Sequence, residues 1–237
     1  MMGILEVKNV TKHFGGLVAN SDVSFSVERG QVYGIVGPNG AGKTTMFNMI
    51  SGTFHPTSGQ ILFKGEDITR KPAYEICKRH IGRTFQIPLA LDKMTVLENV
   101  TVGAMVHTPK TETAKEFAAE ILAYVGMEGQ RDLMAESLSV IQKKRLEIAR
   151  ALSTKPELIL LDESMAGLNG QERDDAIALI KKINGDGITV LMIEHVMRVV
   201  MSVCDQVLVL QNGMRIAEGT PEEITRDERV IAAYLGD

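Results

Sequence analysis

Val32-Tyr33-Gly34-Ile35-Val36-Gly37-Pro38-Asn39-Gly40-Ala41-Gly42-Lys43-Thr44 decides the fold of this chain. An apolar run of strand length ends at a glycine, and Gly37 to Thr44 then satisfy the spacing GxxxxGK[ST] ahead of a helix expected from Thr44. Glycines in such a turn let backbone N–H groups face inward around phosphate oxygens. The helix N-terminus adds positive potential, and the lysine neutralises the outer phosphates. Pro38, Asn39, Gly40, Ala41, Gly42, Lys43, Thr44 and Thr45 are therefore the expected nucleotide cradle, with the Thr44 hydroxyl placed for magnesium.

A phosphate site of this kind needs a second element, an acidic residue at the end of a buried strand. Leu158-Ile159-Leu160-Leu161-Asp162-Glu163 supplies it. Asp162 is the expected magnesium ligand, through water. Glu163 suits a general base that polarises the attacking water, since the strand end offers the two carboxylates from slightly different positions.

Outward from these anchors, the first part reads as mostly sheet. Strands are expected at Ile4–Val7, Ser24–Val27 and Ile61–Phe63, followed by a Lys64-Gly65-Glu66-Asp67 turn, a helix after Pro72 and a strand at Ile81–Phe85. From Ile87 to Ala151 the period turns helical: Thr95-Val96-Leu97-Glu98 has capping-box spacing, and Thr111 to Val125 is rich in Ala, Glu and Lys. The last third alternates strand Leu158–Leu161, helix Gln171–Ile183, strand Thr189–Ile193, helix Val196–Ser202 and strand Val207–Leu210, which predicts a parallel sheet. The fold class is thus α/β. One compact unit, 1–237, is expected, in which 1–86 and 152–237 form the nucleotide-binding core with a small antiparallel β subdomain and 87–151 an inserted helical subdomain.

Composition narrows the function further. Against 30 acidic residues stand 26 basic ones, a net charge of −4 over 237 residues, which argues against a protein that coats nucleic acid. The basic triplet Lys143-Lys144-Arg145 reads as a solvated helix face. Cys77 and Cys204 lie far apart with no CxxC spacing, so neither a disulfide scaffold nor a zinc site is suggested, and a reducing cytoplasm fits. The opening Met-Met-Gly-Ile-Leu-Glu lacks a signal-peptide pattern. The longest apolar runs are strand-sized, well short of the ~20 residues that cross a bilayer, so any membrane role needs a partner chain.

With Lys43 and Asp162 placed, the remaining motifs resemble those of the ATP-binding subunits of ABC transporters over essentially the whole chain. Arg83-Thr84-Phe85-Gln86 resembles the family's Q-loop, in which Gln86 would approach magnesium and the attacking water and report nucleotide state to a membrane subunit. Glu194-His195 resembles the switch-histidine segment, where His195 would contact the terminal phosphate and the base. Phe14, in His13-Phe14-Gly15-Gly16, lies where the family places a ring that stacks on adenine. Leu138-Ser139-Val140-Ile141-Gln142 aligns with the signature segment, which in the family covers ATP bound to the opposite subunit; Ser139 would act there in trans. Both signature glycines are replaced by β-branched residues, Val140 and Ile141, and a Cβ at 141 is expected to crowd the phosphate and to disfavour positive φ. Ser164 stands where proline is usual and Asn169 where many relatives have Asp.

Within the family, the likeness is to ATPases of branched-chain amino acid importers, through Thr95 to Val100, Met165-Ala166-Gly167-Leu168-Asn169, Ile216 to Pro221 and the ending Ala232-Ala233-Tyr234-Leu235-Gly236. The resemblance implies a P-loop, RecA-like core and an ATPase with ATP and Mg2+ as cofactors, dimerising around two ATP molecules with a second ABC ATPase, identical or different. It implies integral membrane subunits as partners, indirectly an extracytoplasmic solute-binding protein, no nucleic acid, and a peripheral place on the cytoplasmic face of the inner membrane. The function implied is energising import of branched-chain or other hydrophobic amino acids. The alternatives are a urea or amide importer, a lipid exporter, or a soluble non-transport ABC ATPase. The stretch between Lys43 and Asp162 has room for a helical subdomain but not for the long coiled coil usual in that last class. The groove after Gln86, with apolar Ile87, Leu89, Leu91 and Met94, is the expected dock for a membrane partner's helix.

Overall fold

The computed structural model describes residues 3–165 and 167–235, except the side chains of Tyr234 and Leu235. Ala166, Gly236 and those two side chains, part of the subfamily cues, lie outside the description. The chain divides into two compact units, Met1–Ile76 with Met165–Asp237, and Cys77–Ser164. The second takes in the 87–151 stretch together with two short strands that flank it and pair with each other.

The first unit opens with β1 (Leu5–Phe14), β2 (Leu17–Val27), β3 (Val32–Val36), α1 (Lys43–Ile50), β4 (Ser58–Phe63) and β5 (Glu66–Asp67), with α2 (Ala73–Lys78) at its boundary. The second holds β6 (Ile81–Arg83), α3 (Val96–Ala104), α4 (Thr111–Tyr124), α5 (Val140–Ser153) and β7 (Leu158–Asp162). The first unit resumes with α6 (Gly170–Gly185), β8 (Thr189–Ile193), α7 (Met197–Val203), β9 (Gln206–Gln211), β10 (Met214–Gly219), α8 (Pro221–Arg226) and α9 (Glu228–Leu235).

Two sheets build the first unit. An antiparallel sheet runs in the order β2-β1-β4-β5, and a second carries the order β10-β9-β3-β8, with β3 parallel to both neighbours and β10 antiparallel at its edge. The distinction follows from the side chains. Every residue of β3 and β8 is buried, the continuous apolar run of a strand covered on both faces. In β2, by contrast, Val23, Phe25 and Val27 are buried while Asp22 and Ser26 are exposed, the period-two pattern of a half-covered sheet. Phe25 stacks on Tyr33 with centroids 5.5 Å apart, and the buried Tyr33 hydroxyl donates to Glu218 Oε1 at 2.6 Å.

In the second unit, β6 and β7 pair in parallel, Arg83 opposite Leu160. Around the helices, Val96, Val100 and Ala104 of α3, Ala114, Ala118 and Leu122 of α4, and Leu146 and Ala149 of α5 are buried. A Cβ at Gly103 would lie 2.2 Å from Ser153 Oγ, so this glycine sets the close approach of α3 and α5. The Thr95 capping box is present: Glu98 N donates to Thr95 Oγ1 at 3.1 Å, and Thr95 N to Glu98 Oε2 at 2.7 Å. Buried Asn99 holds the preceding loop, accepting from Leu91 N at 2.8 Å and donating to Leu91 O at 3.1 Å.

Several element ends differ from expectation. β1 continues through Phe14 rather than stopping at Val7, because its outer half pairs with β2 through the Gly15-Gly16 hairpin. The strand expected to Phe85 ends at Arg83; Thr84 N still bonds Leu160 O at 2.9 Å, but Phe85 is exposed. α1 opens at Lys43 and α7 at Met197, one residue from the expected starts. β10 joins the sheet antiparallel, where only parallel strands were expected.

Candidate functional site

The first unit supplies the phosphate loop. Gly37, Gly40 and Gly42 have φ of +148°, +79° and +94°. At Gly37 a Cβ would lie 2.0 Å from Leu210 O, and at Gly42 2.4 Å from Ala19 O, so neither position admits a side chain. α1 therefore opens from a left-handed N-cap, Gly42, with no side chain capping its first N–H groups. Those donors and the positive end of the helix point at the same place. Buried Lys43 folds back along the loop, donating to Gly37 O at 2.8 Å and Pro38 O at 2.9 Å. Behind the loop, Gly213 N donates to Ala41 O at 3.2 Å and Ser21 N to Gly213 O at 2.8 Å, which ties the cradle to β2. Asn39 and Gly40 are exposed, and Thr44 and Thr45 lie half-buried in the first turn of α1.

Phe14 ends β1 with its ring 41% exposed. Phe54 meets it edge-on at 5.4 Å, and Lys12 Nζ lies 4.9 Å from its centroid while donating to His55 O at 2.6 Å. An accessible ring held on two sides is suited to stack on a base. His195 is exposed just after β8, and the preceding Glu194 is fully buried.

The second unit supplies the acidic pair. Asp162 ends β7 at 1% exposure, where its carboxylate takes Arg83 Nη2 at 3.3 Å and its N–H donates to Thr84 Oγ1 at 3.1 Å. Glu163 has φ +46°, a left-handed conformation that a non-glycine residue rarely holds, and its Oε2 accepts from Gln86 Nε2 at 2.8 Å. Gln86 and Glu163, 77 residues apart, are thus brought together. Lys144 Nζ reaches Glu163 O at 3.4 Å. Arg83 and Lys144 received no role from the sequence alone; the signal for Arg83 was its place in the strand that precedes Gln86.

Ser139 caps α5: its Oγ accepts from Gln142 N at 3.3 Å and its N–H donates to Gln142 Oε1 at 2.9 Å. The backbone strain expected at Ile141 is absent. Val140 and Ile141 form the first turn of α5 and neither has positive φ, because the helix starts immediately after Ser139 and β-branched residues fit helical dihedrals. Val140 projects outward, 66% exposed. Asn169, in place of the usual Asp, caps α6 by accepting from Glu172 N at 3.0 Å.

A strand, a glycine-hinged loop and a helix that opens on a buried lysine, set in a mixed α/β fold, define a P-loop nucleotide-binding cassette. The chain belongs to the ABC transporter family: residues 20–166 match the family described as ABC transporter, and residues 215–237 the family described as branched-chain amino acid ATP-binding cassette transporter. It is 42% identical to the high-affinity branched-chain amino acid transport ATP-binding protein BraF of Pseudomonas aeruginosa, over 99% of this chain and 98% of that one. It is 36% identical to the corresponding protein LivG of Escherichia coli, over 99% and 98%. The crystal structure of a nucleotide-free ATP-binding cassette from an ABC transporter matches with TM-score 0.91 at 35% identity, and an ADP-bound cassette with 0.90 at 35%; each match covers 100% of both chains.

Proposed function

We propose that this chain is the ATP-binding and ATP-hydrolysing subunit of an ABC importer for branched-chain or other hydrophobic amino acids. The observation that carries the reading is the phosphate loop, whose three left-handed glycines and uncapped helix present N–H groups and Lys43 to a triphosphate. In this reading Phe14 stacks on adenine, Gly40, Gly42, Lys43, Thr44 and Thr45 hold the phosphates, and His195 contacts the terminal one. Glu163 takes the proton of the attacking water, and Gln86, bonded to it at 2.8 Å, orients both.

Thr44, Gln86 and Asp162 suit magnesium, since a hydroxyl, a carboxamide and a carboxylate are hard oxygen donors. Gln86 turns its N–H to Glu163, which leaves its carbonyl oxygen as the acceptor for a cation. The ion, when bound, supplies charge neutralisation between the phosphates.

Residues 87–151 act as the helical subdomain that faces the membrane partners. Among the described residues no helix is long and apolar enough to cross a membrane. In this reading partner chains hold the protein at the cytoplasmic face. Supporting this, the second unit has a pocket of about 270 Å³ lined by Arg83, Phe85, Leu89, Val102, Val106 and Arg150, beside the exposed Ile87 and Leu91. A second ATPase completes the dimer, and an extracytoplasmic binding protein delivers the solute.

Equilibrium binding of ATP with magnesium to the full chain, compared with Lys43→Ala, tests the reading. Saturable binding weakened at least tenfold by the substitution is expected. Absence of saturable binding to the unaltered chain overturns it.

A further inference from the structure

Glu194, next to His195, is a buried carboxylate that the proposed chemistry leaves without a task. It is 0% exposed, directly after β8, and all its acceptor bonds go to backbone N–H groups. Oε1 accepts from Met165 N at 3.1 Å; Oε2 accepts from His195 N at 3.3 Å and Val196 N at 3.5 Å. A buried carboxylate is a costly way to fill space, which a leucine would fill more cheaply. What the carboxylate does that a leucine does not is hold two stretches of backbone, 29 residues apart, on its two oxygens.

One stretch is the turn that carries His195, whose exposed side chain takes its direction from that backbone. The other starts at Met165, two residues along the chain from Glu163, and leads to the Asn169 cap of α6. At the first of these stretches α7 opens at Val196 with no side-chain cap, and Glu194 is the side chain that meets the N–H groups there. We propose that Glu194 is a positioning residue, locking the backbone of His195 to that of Met165 so that a shift in the segment after Glu163 is passed to the imidazole. The inference rests on the reading of His195 as the contact to the terminal phosphate.

ATP turnover of the full chain in its transporter complex, with Glu194→Ala, Glu194→Gln, His195→Ala and the Glu194→Ala/His195→Ala double variant, tests it. Glu194→Ala should lower kcat at least tenfold with KM for ATP within twofold. Glu194→Gln should fall between, since a carboxamide accepts on one side only. In the His195→Ala background, Glu194→Ala should lower kcat no further. Equal losses in both backgrounds, or an unchanged kcat in Glu194→Ala, overturn the lock. If His195→Ala alone leaves kcat unchanged, it is the reading of His195 that fails. Amide hydrogen exchange then decides the lock by itself: Met165 and Val196 should both exchange faster in Glu194→Ala, or in Glu194→Gln should the alanine variant not fold, and acceleration of one alone overturns it.

Discussion

Glu163 sits at φ +46° between a buried strand end and a loop, in a region where a side chain normally costs about 1–3 kcal/mol. That backbone turns the Glu163 carboxylate to Gln86 at 2.8 Å, which suits the proposed role as base. Glu163→Gln keeps the shape and removes the proton acceptor, so kcat for ATP hydrolysis should fall about 100-fold or more while ATP affinity stays within a few-fold. Single-turnover phosphate release beside equilibrium binding checks this. Glu194 offers a second measurement at this scale. Burial raises its pKa above the ordinary 4.5, against the opposing bonds from Met165 and Val196 and the charge of His195. Between 4.5 and the raised value the folded chain keeps a proton that the unfolded chain has lost, so this residue makes stability fall as pH rises through that window. Glu194→Gln removes its share of that slope, leaving the share of Glu147, which burial shifts the same way. Urea midpoints across a pH series read the difference.

Helix starts are the elements where local chemistry and function meet. Four helices, α3, α5, α6 and α8, open on a side-chain cap with a reciprocal partner at the third position, while α1, α4 and α7 open without one. Of these uncapped helices, α1 is the one that opens on a left-handed glycine at the end of the phosphate loop, which leaves its first N–H groups open to a ligand. At α5, the N-terminus that covers an opposite subunit's ATP in the family resemblance carries Val140 and Ile141, and Val140 stands out into solvent where a glycine would leave room. Any effect of the two substitutions on that cover would then be steric rather than a matter of backbone strain. A pair of two different ATPases would leave this chain's own site competent and impair the partner's; a pair of identical chains would impair both. Val140→Gly with Ile141→Gly should therefore raise ATP-driven dimerisation and turnover of this chain alone. Unaltered hydrolysis and dimerisation in the double variant refute the idea. Asn99 and the Thr95 cap serve another element: together they hold the loop that bears the apolar Leu89 and Leu91 in place.

For the whole molecule, the division into two units assigns separate duties. The first carries Phe14 and the phosphate loop, the second the acidic pair and the apolar pocket. Leu89, 57% exposed beside that pocket, has no core to fill, so Leu89→Glu should abolish co-purification with membrane subunits. ATP affinity of the isolated chain should remain within twofold. Retained co-purification in detergent pull-downs would remove the pocket from the partner interface.

Much was legible along the chain because the signals were short-ranged. The phosphate loop announces itself in eight consecutive residues, the Thr95 cap in four, and the β3, β7 and β8 strands in unbroken apolar runs whose burial on both faces leaves no other pattern. Even the overlooked β10 had its signal, Asn212-Gly213, a two-residue hairpin turn with both residues at positive φ. Pairings across long sequence separations, by contrast, leave no local trace. Gln86 on Glu163, Arg83 on Asp162 and Glu194 on Met165 join residues 77, 79 and 29 positions apart, and none of these pairings is set by neighbours along the chain. Local spacing dictated the cradle for phosphate, since backbone conformation there is set by the residues themselves; the setting of each carboxylate was decided only by tertiary structure, since burial and hydrogen-bond partners are properties of the packed chain.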